Sequence, residues 1–251
     1  SLPIVLDDYG QYMNGFANPV YYNIHLINYE TADADWLSYV AVHEYTHMAH
    51  MTMAGGLPGV FTFLFGNLAG PMLFAPQWTF EAITVYNESG LSAYMGRLND
   101  GAFETYMSIC SAAGEFPSLM KATYLPVEFP YGTGMYLFGG EFWNFLAQTY
   151  GEEKFREFYK SYSSSIGSYL SPVFPWIGID RTFDEVFGST TTDLWGKWKE
   201  AEKEKAKGYA QEGERVTFHG DNAGWPAVRG GTLYYARNTV EKTGPFEARA
   251  Y

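Results

Sequence analysis

Residues 36–53 read WLSYVAVHEYTHMAHMTM, a run in which apolar and histidine side chains recur at three- and four-residue spacing. Trp36, Val40, His43 and His47 therefore share one face of a predicted helix. A threonine and two aspartates in residues 31–35 supply the cap and the acidic first turn that favour a helix start. The sequence predicts an α-helix over 36–53.

The central motif of this helix is His43-Glu44-Tyr45-Thr46-His47. Side chains four residues apart project from one helix face about one turn apart, so both imidazoles can reach one tetrahedral Zn²⁺ ion. The carboxylate of Glu44 then lies beside the metal. It can take a proton from a metal-activated water and pass it to a leaving amine. The plainer interpretation is a pair of partly buried histidines on an amphipathic helix.

A zinc site of this kind needs a third ligand, and the residues leave several options. The extended pattern His-Glu-x-x-His-x-x-Gly-x-x-His would need Gly at 50 and His at 53, where this chain has His50 and Met53. Three histidines from one straight helix would crowd a single ion, so His50 is expected to be a satisfied helix histidine. His25 and His219 lie outside any ligand spacing. A third option is Glu81, for which the evidence is a resemblance.

Residues 78–88 read WTFEAITVYNE and resemble two groups of gluzincin metallopeptidases. The segment 80–84 is similar to the Asn-Glu-Ala-Ile-Ser segment of thermolysin-like members. The whole stretch is similar to the Trp-x-x-Glu-Gly-x-Ala-x-Tyr-x-Glu pattern of alanyl-aminopeptidase-like members. In both groups this Glu is the third zinc ligand, so the resemblance implies that Glu81 completes the site with His43 and His47. Glu88 lies about two turns beyond Glu81 on the same helix face, so it is expected either to support a metal ligand or to be an exposed carboxylate.

The resemblance has departures. Ala82 stands for Gly, Phe80 stands for Asn, and 33 residues separate His47 from Glu81. Those families have about 18 residues at this point. A longer loop adds little closure free energy, because doubling its length costs only ~0.6 kcal/mol. The ligands are therefore still expected to meet.

A downstream segment is similar to the Tyr-x-Lys-Gly segment of the aminopeptidase-like group. Tyr136-Leu137-Phe138-Gly139 is followed by Leu146 and Gly151 in similar register. The resemblance implies that Tyr136 donates a hydrogen bond to the tetrahedral oxyanion. Because 21 of the 251 residues are tyrosine, core packing is the alternative for Tyr136, and Tyr131 is the second candidate donor.

Upstream, residues 15–19 and the strand predicted over 22–26 are similar to the lead-in to the motif helix in peptidase-MA-like proteins. There the strand is the sheet edge along which an extended peptide lies. The Gly-Ala-Met-Glu-Asn segment that recognises a free N-terminal amine in the aminopeptidases is missing. Endopeptidase action is therefore expected rather than aminopeptidase action.

Composition excludes several classes of protein. The 47% apolar content excludes disorder, and a single cysteine, Cys110, excludes a disulfide scaffold. Residues 1–120 contain eleven acidic residues and one basic residue, Arg97, within a net charge of -12. A nucleic-acid binder needs a basic face that this half lacks. The acidity also predicts steering of neutral or basic peptides.

The longest apolar stretch covers residues 55–76 and is interrupted by glycine, proline and asparagine. It is too broken for the roughly 20 uninterrupted apolar residues of a bilayer span. We expect two short apolar pieces in a long loop that covers the site, packed in the interior. Contact with a membrane through 55–76 is the alternative that we disfavour.

The expected fold class is α+β. A small N-terminal β-sheet, with strands over 2–6 and 22–26 around a turn-rich segment, accompanies the motif helix and a mostly helical lobe. Further helices are predicted over 78–95, 99–112, 134–149, 151–163, 181–187 and 191–208. Residues 1–210 are expected to form the metallopeptidase domain and 211–251 a β-rich tail. Strands are predicted over 215–218 and 232–236. The segment 224–235 resembles the opening of a TolB-type β-propeller blade.

The sequence therefore predicts a zinc-dependent endopeptidase of the gluzincin type, with one Zn²⁺ per chain and a peptide or protein substrate. The alternative is a non-catalytic binding or scaffold protein with a structural zinc site and a propeller-type interaction domain. A zinc hydrolase of non-peptide bonds is a third interpretation. The resemblance implies an extracytoplasmic location, although residues 1–20 lack the features of a signal peptide. The abrupt start of the chain suggests a fragment of a longer protein.

Overall fold

A computed structural model describes most of the chain, with gaps between the described ranges. These ranges are residues 2–7, 13–27, 36–123, 131–208, 222–238 and 247–250. The predicted cap over 31–35, the predicted strand over 215–218 and His219 lie outside them, as does the side chain of Tyr131.

The N-terminal sheet contains β1 (Ile4–Asp7), β2 (Asn14–Asn18) and β3 (Asn23–Ile27), in the order β1-β3-β2. β3 pairs in parallel with β1 and antiparallel with β2. The expectation that the 22–26 strand is the sheet edge is therefore wrong, because β2 takes that position. The expected turn-rich segment contains this strand. Its Asn and Gly residues hide it, since they are rare in strands.

The next element is α1 (Trp36–Met51), which confirms the predicted motif helix. It packs on β2 and β3, and a small core forms where Trp36, Val40 and Met48 of α1 meet Ile24 and Leu26 of β3. Because α1 contacts β2, Glu44 of the motif lies beside Gly15 of that strand.

The remaining helices form the helical lobe. They are α2 (Gly56–Phe65), α3 (Gln77–Ser89), α4 (Gly101–Ala112), α5 (Leu119–Thr123), α6 (Gly134–Tyr150), α7 (Glu153–Ser164), α8 (Ile179–Phe187) and α9 (Thr191–Ala206). The predicted helix over 78–95 is too long, because α3 ends at Ser89 with Gly90 as its cap. Short 3-10 turns occupy Asn67–Ala69, Pro71–Phe74, Arg97–Asn99, Tyr131–Thr133 and Ile166–Leu170.

Two helices cross closely at the centre of this lobe. A Cβ added at Gly139 of α6 would lie 3.3 Å from the Cβ of Ala82 in α3, and one at Gly140 would lie 2.6 Å from Cγ1 of Val85. Only glycine allows this approach. An aromatic core including Trp78, Phe142, Trp143, Phe158, Phe183 and Trp198 packs around the crossing, and α3 also contacts α1.

The 55–76 segment differs from its prediction. Residues 56–65 form the helix α2 rather than part of a loop, and Pro58 is the only residue of α2 that is buried. The expected interior packing holds for Pro71 and Met72 but is wrong for α2 and for Leu68. Among the described residues, only α1 and α2 together, bent by 103°, meet the length and apolarity of a membrane-crossing helix, and no single helix does.

The chain divides into two compact units, Ser1–Tyr209 and Ala210–Tyr251. In the second unit β4 (Asn222–Arg229), β5 (Thr232–Asn238) and β6 (Glu247–Ala250) form an antiparallel sheet in that order. Gly230 and Gly231, both with positive φ, make the two-residue turn between β4 and β5. Helices with two small sheets confirm the α+β class.

A candidate metal centre

Three side chains from two helices converge on one point. His43 and His47 come from successive turns of α1, and Glu81 comes from the second turn of α3. The Nε2 atom of each histidine lies 3.3 Å from Oε2 of Glu81. All three residues are buried, and among the described residues they form a group that can hold a metal ion.

The geometry of this group fits a metal ion better than it fits a hydrogen-bonded cluster. Oε2 of Glu81 is shielded from solvent and has no well-aligned hydrogen-bond partner in the described structure. Two nitrogen or oxygen ligands at about 2.0–2.1 Å from a tetrahedral ion lie about 3.3 Å apart, which is the separation found here. A metal ion bound by Oε2 of Glu81 and by both imidazoles would give this buried oxygen the partner that it lacks.

The charges in the group are strongly coupled. Burial alone would raise the pKa of Glu81, but the two imidazoles beside it outweigh burial and lower its pKa to about 2. Burial alone would lower the pKa of His43, and the carboxylates of Glu81 and Glu88 reverse this and raise it. Glu81 is therefore an ionised carboxylate at neutral pH, which is the form that binds a cation.

Glu88 contacts the imidazole of His43 on the side that faces away from Glu81. It is fully buried, and its Oε2 accepts a 2.7 Å hydrogen bond from Nδ1 of His43. Its Oε1 accepts from the backbone N–H of Arg97 at 3.1 Å, and its Oε2 lies 3.3 Å from Nη1 of that residue. A carboxylate on Nδ1 fixes the tautomer of His43, so that Nε2 presents a lone pair to the group.

Glu44 lies on α1 beside the three converging side chains but outside the group itself. A Cβ added at Gly15 of β2 would lie only 2.8 Å from Oε1 of Glu44, and the backbone of Ala17 hydrogen bonds to the same carboxylate. Burial raises the pKa of Glu44, against the opposing effect of His47 and His43. The edge strand thus positions this carboxylate and keeps water from surrounding it.

Tyr136 faces the group from α6. Its ring centroid lies 6.2 Å from that of His43, and the guanidinium of Arg97 stacks over its ring at 4.7 Å. Burial raises the pKa of Tyr136 to about 12, with a further contribution from Glu81. The phenol is protonated at neutral pH and can donate a hydrogen bond. Tyr131, the other candidate donor, lies outside the described side chains.

A cavity of about 370 Å³ opens onto these side chains. Residues 13–17 line one side of it, and Tyr136 and Arg97 are among the residues on the remaining sides. The volume is within the range of ligand pockets in proteins. An edge strand beside a cavity offers unpaired backbone groups to an extended chain.

The other histidines have different surroundings. His25 lies 3.1 Å from Oδ2 of Asp7 and stacks on Phe16 of β2. His50 is buried between the rings of Phe80 and Tyr159, and neither of its ring nitrogens has a hydrogen-bond partner in the described structure. Burial lowers the pKa of His50 to about 3. The expectation of a satisfied histidine at this position is wrong, since it packs as a neutral aromatic ring.

Two residues of the site, Arg97 and Gly15, were not predicted from the sequence. Arg97 contacts both Glu88 and Tyr136, and its signal was its isolation as the one basic residue among the first 120. Gly15 contacts Glu44, but a glycine before an unrecognised strand carries no local sign of such a contact. Both depend on the meeting of segments that are distant in sequence.

Comparison with protein-family models, with curated proteins and with solved structures finds no match to this chain.

Proposed function

We propose that this chain is a zinc-dependent endopeptidase of the gluzincin type. The observation that carries the proposal is the convergence of His43, His47 and Glu81 with the carboxylate of Glu44 beside them. A metal group without an adjacent base would fit a structural site equally well. The buried carboxylate at the edge of the cavity favours catalysis.

Two imidazole nitrogens and one carboxylate oxygen are a ligand set typical of catalytic zinc, in which the fourth position is left for water or substrate. A bound zinc ion supplies Lewis-acid activation of that water and of the substrate carbonyl. Among the divalent ions, zinc suits this mixture of nitrogen and oxygen donors and tetrahedral spacing.

Glu44 is the general base in this proposal. Its carboxylate accepts a proton from the attacking water and then delivers it to the leaving amine. A pKa raised by burial brings the group nearer to the working pH, which favours both transfers. Gly15 and Ala17 hold the carboxylate at one place, so little reorganisation is needed during the reaction.

Tyr136 is the proposed donor to the oxyanion. Its phenol is protonated at neutral pH, and burial raises its pKa further, to about 12. A hydrogen-bond donor placed where negative charge develops stabilises the transition state. The stacked guanidinium of Arg97 restrains the ring and adds positive charge nearby.

The substrate in this proposal is an extended peptide that pairs with the edge strand β2. Residues 13–17 line the cavity, so a peptide paired with them passes the metal group. The missing amine-recognition segment favours cleavage within a chain over removal of its first residue.

The test compares metal content and peptide turnover in the wild type, Glu81→Ala, Glu44→Gln and a control, Glu157→Ala, which removes a carboxylate from α7. We expect about one zinc per chain in all but Glu81→Ala, measured by elemental analysis. Turnover of N-terminally blocked, unstructured peptides should fall roughly 10³-fold in Glu44→Gln while its zinc is kept.

Three results would contradict the proposal. The wild type could hold no metal even after zinc is supplied, or Glu44→Gln could cleave as fast as the wild type. Peptides could also stay intact while small esters are hydrolysed, which would indicate a hydrolase of non-peptide bonds.

A further inference from the structure

An unusual set of apolar side chains is exposed on α2 and the turn after it. Phe63, Phe65 and Leu68 are 86%, 70% and 68% exposed. Leu57, Val60 and Leu64 of the same segment are each at least half exposed. We define these six side chains as the apolar surface. Large contiguous apolar surfaces on soluble domains mark sites of contact with something else.

The apolar surface is convex and wraps around the helix. At 100° per residue, the side chains of 57, 60, 63, 64 and 65 span about 200° of the circumference of α2. A flat protein surface could cover only part of this arc. A fluid hydrocarbon phase surrounds a protruding helix on every exposed side, as in interfacial helices.

The charges around this segment favour an uncharged partner. Residues 45–80 contain no Asp, Glu, Lys or Arg, so insertion requires no charge to leave water. Arg97 is the first basic residue of the chain, and the net charge is -12. Anionic headgroups are therefore not attracted to this half of the molecule. A neutral bilayer is the complementary surface.

Two segments that carry exposed aromatic side chains are hydrogen bonded to the turn after α2. Asn67 Nδ2 donates to the carbonyl of Pro19, two residues before the exposed Tyr21. Tyr169, seven residues before the exposed Trp176, donates to the carbonyl of Ala69. Tyrosine and tryptophan are enriched at the headgroup level of membranes, because one end is apolar and the other is wet.

We propose that the apolar surface inserts into the interface of a neutral lipid bilayer and holds this unit at the membrane. α2 lies within the headgroup and upper acyl region, and Tyr21 and Trp176 lie at the headgroup level. The attachment does not depend on the metal centre or on its activity.

The test is co-flotation of the full chain with phosphatidylcholine vesicles, for the wild type, the Phe63→Asp/Phe65→Asp double variant and the control Met120→Asp. Met120 is 81% exposed on α5, which packs on α6 rather than on α2. We expect the wild type and the control to float with the vesicles. The double variant should partition at least about tenfold more weakly. Replacing part of the phosphatidylcholine by phosphatidylserine should not increase binding.

Thermal unfolding of both variants shows whether they remain folded, which is expected because the replaced side chains are exposed. Wild-type protein that stays unbound with vesicles of either composition would overturn the proposal. So would a double variant that floats as well as the wild type. A wild-type dimer in solution that the double variant abolishes, without any flotation, would assign the surface to a second copy of the chain.

Discussion

Gly15 shows how one missing side chain can position a reactive group. A Cβ at this position would lie 2.8 Å from Oε1 of Glu44 and 2.9 Å from Cγ2 of Val40. These separations are shorter than non-bonded contacts allow, so any larger residue must displace the carboxylate or the strand. The identity of residue 15 therefore controls where Glu44 lies relative to the metal group.

Gly15→Ala should reduce peptide turnover by about 10- to 100-fold, because a small displacement of a catalytic group is sufficient for such a loss. Zinc content should stay near that of the wild type, since the three atoms nearest to the new methyl group belong to Glu44 and Val40 rather than to the metal group. The measurement is turnover beside elemental analysis. Gly196→Ala on α9, where an added Cβ meets nothing within 4 Å, is the matched control. Equal turnover in both variants would contradict the role given to Gly15.

At the scale of elements, the site depends on how α1 and α3 are joined. Each helix carries part of the metal group, and Glu88 of α3 links them through its hydrogen bond to His43. The same carboxylate accepts the backbone N–H of Arg97, which ties the following 3-10 turn to the pair. Asn99 strengthens this turn by donating to the carbonyls of Ser89 and Ser92. One buried carboxylate thus orders three segments.

Glu88→Gln should weaken zinc binding by about 10- to 100-fold, because the neutral amide no longer holds the Nδ1 proton of His43 as strongly. Zinc affinity can be measured by competition with a chelator. Glu185→Gln is the control, since Glu185 also pairs with an arginine on a helix but is exposed and far from the metal group in sequence. An unchanged zinc affinity in Glu88→Gln would show that His43 is oriented by other contacts.

At the scale of the whole molecule, acidic residues outnumber basic ones and give a net charge of -12. One of the acidic residues, Glu141, lies in surroundings that disfavour its ionised form. Burial raises the pKa of Glu141 on α6 to about 7 from an ordinary value of 4.5. A hydrogen bond with Asn144 opposes this effect, and Glu202 adds to it. The folded state therefore binds a proton that the unfolded state releases above pH 4.5.

The sign of the resulting pH dependence follows from linkage. The stability linked to Glu141 is fully present below pH 4.5 and is lost as the pH rises through 7. Glu141→Gln should remove this loss and gain about 1–3 kcal/mol relative to the wild type between pH 4.5 and pH 8. Urea unfolding of both proteins at the two pH values measures the difference. A difference that is the same at both values would refute the prediction.

Local periodicity in the sequence predicts several features of the fold and of the site. α1 and most helices of the lobe follow from three- and four-residue spacing, and so does the shared face of His43 and His47. The α+β class follows from the same patterns. The role given to Glu81 came from resemblance, because nothing local to a helix shows which distant carboxylate will meet it.

Most helices, the pair of imidazoles on α1 and the acidity of the first half of the chain follow from the sequence, because these features depend on neighbours along the chain. Tertiary packing brings Oε2 of Glu81 to 3.3 Å from both Nε2 atoms, and it places Glu88 on Nδ1 of His43 and Arg97 on Glu88. Tertiary packing also puts the edge strand β2 beside the cavity and leaves α2 exposed. These outcomes depend on which surfaces meet across long loops, and apolar composition does not reveal whether a segment finds a partner within its own chain.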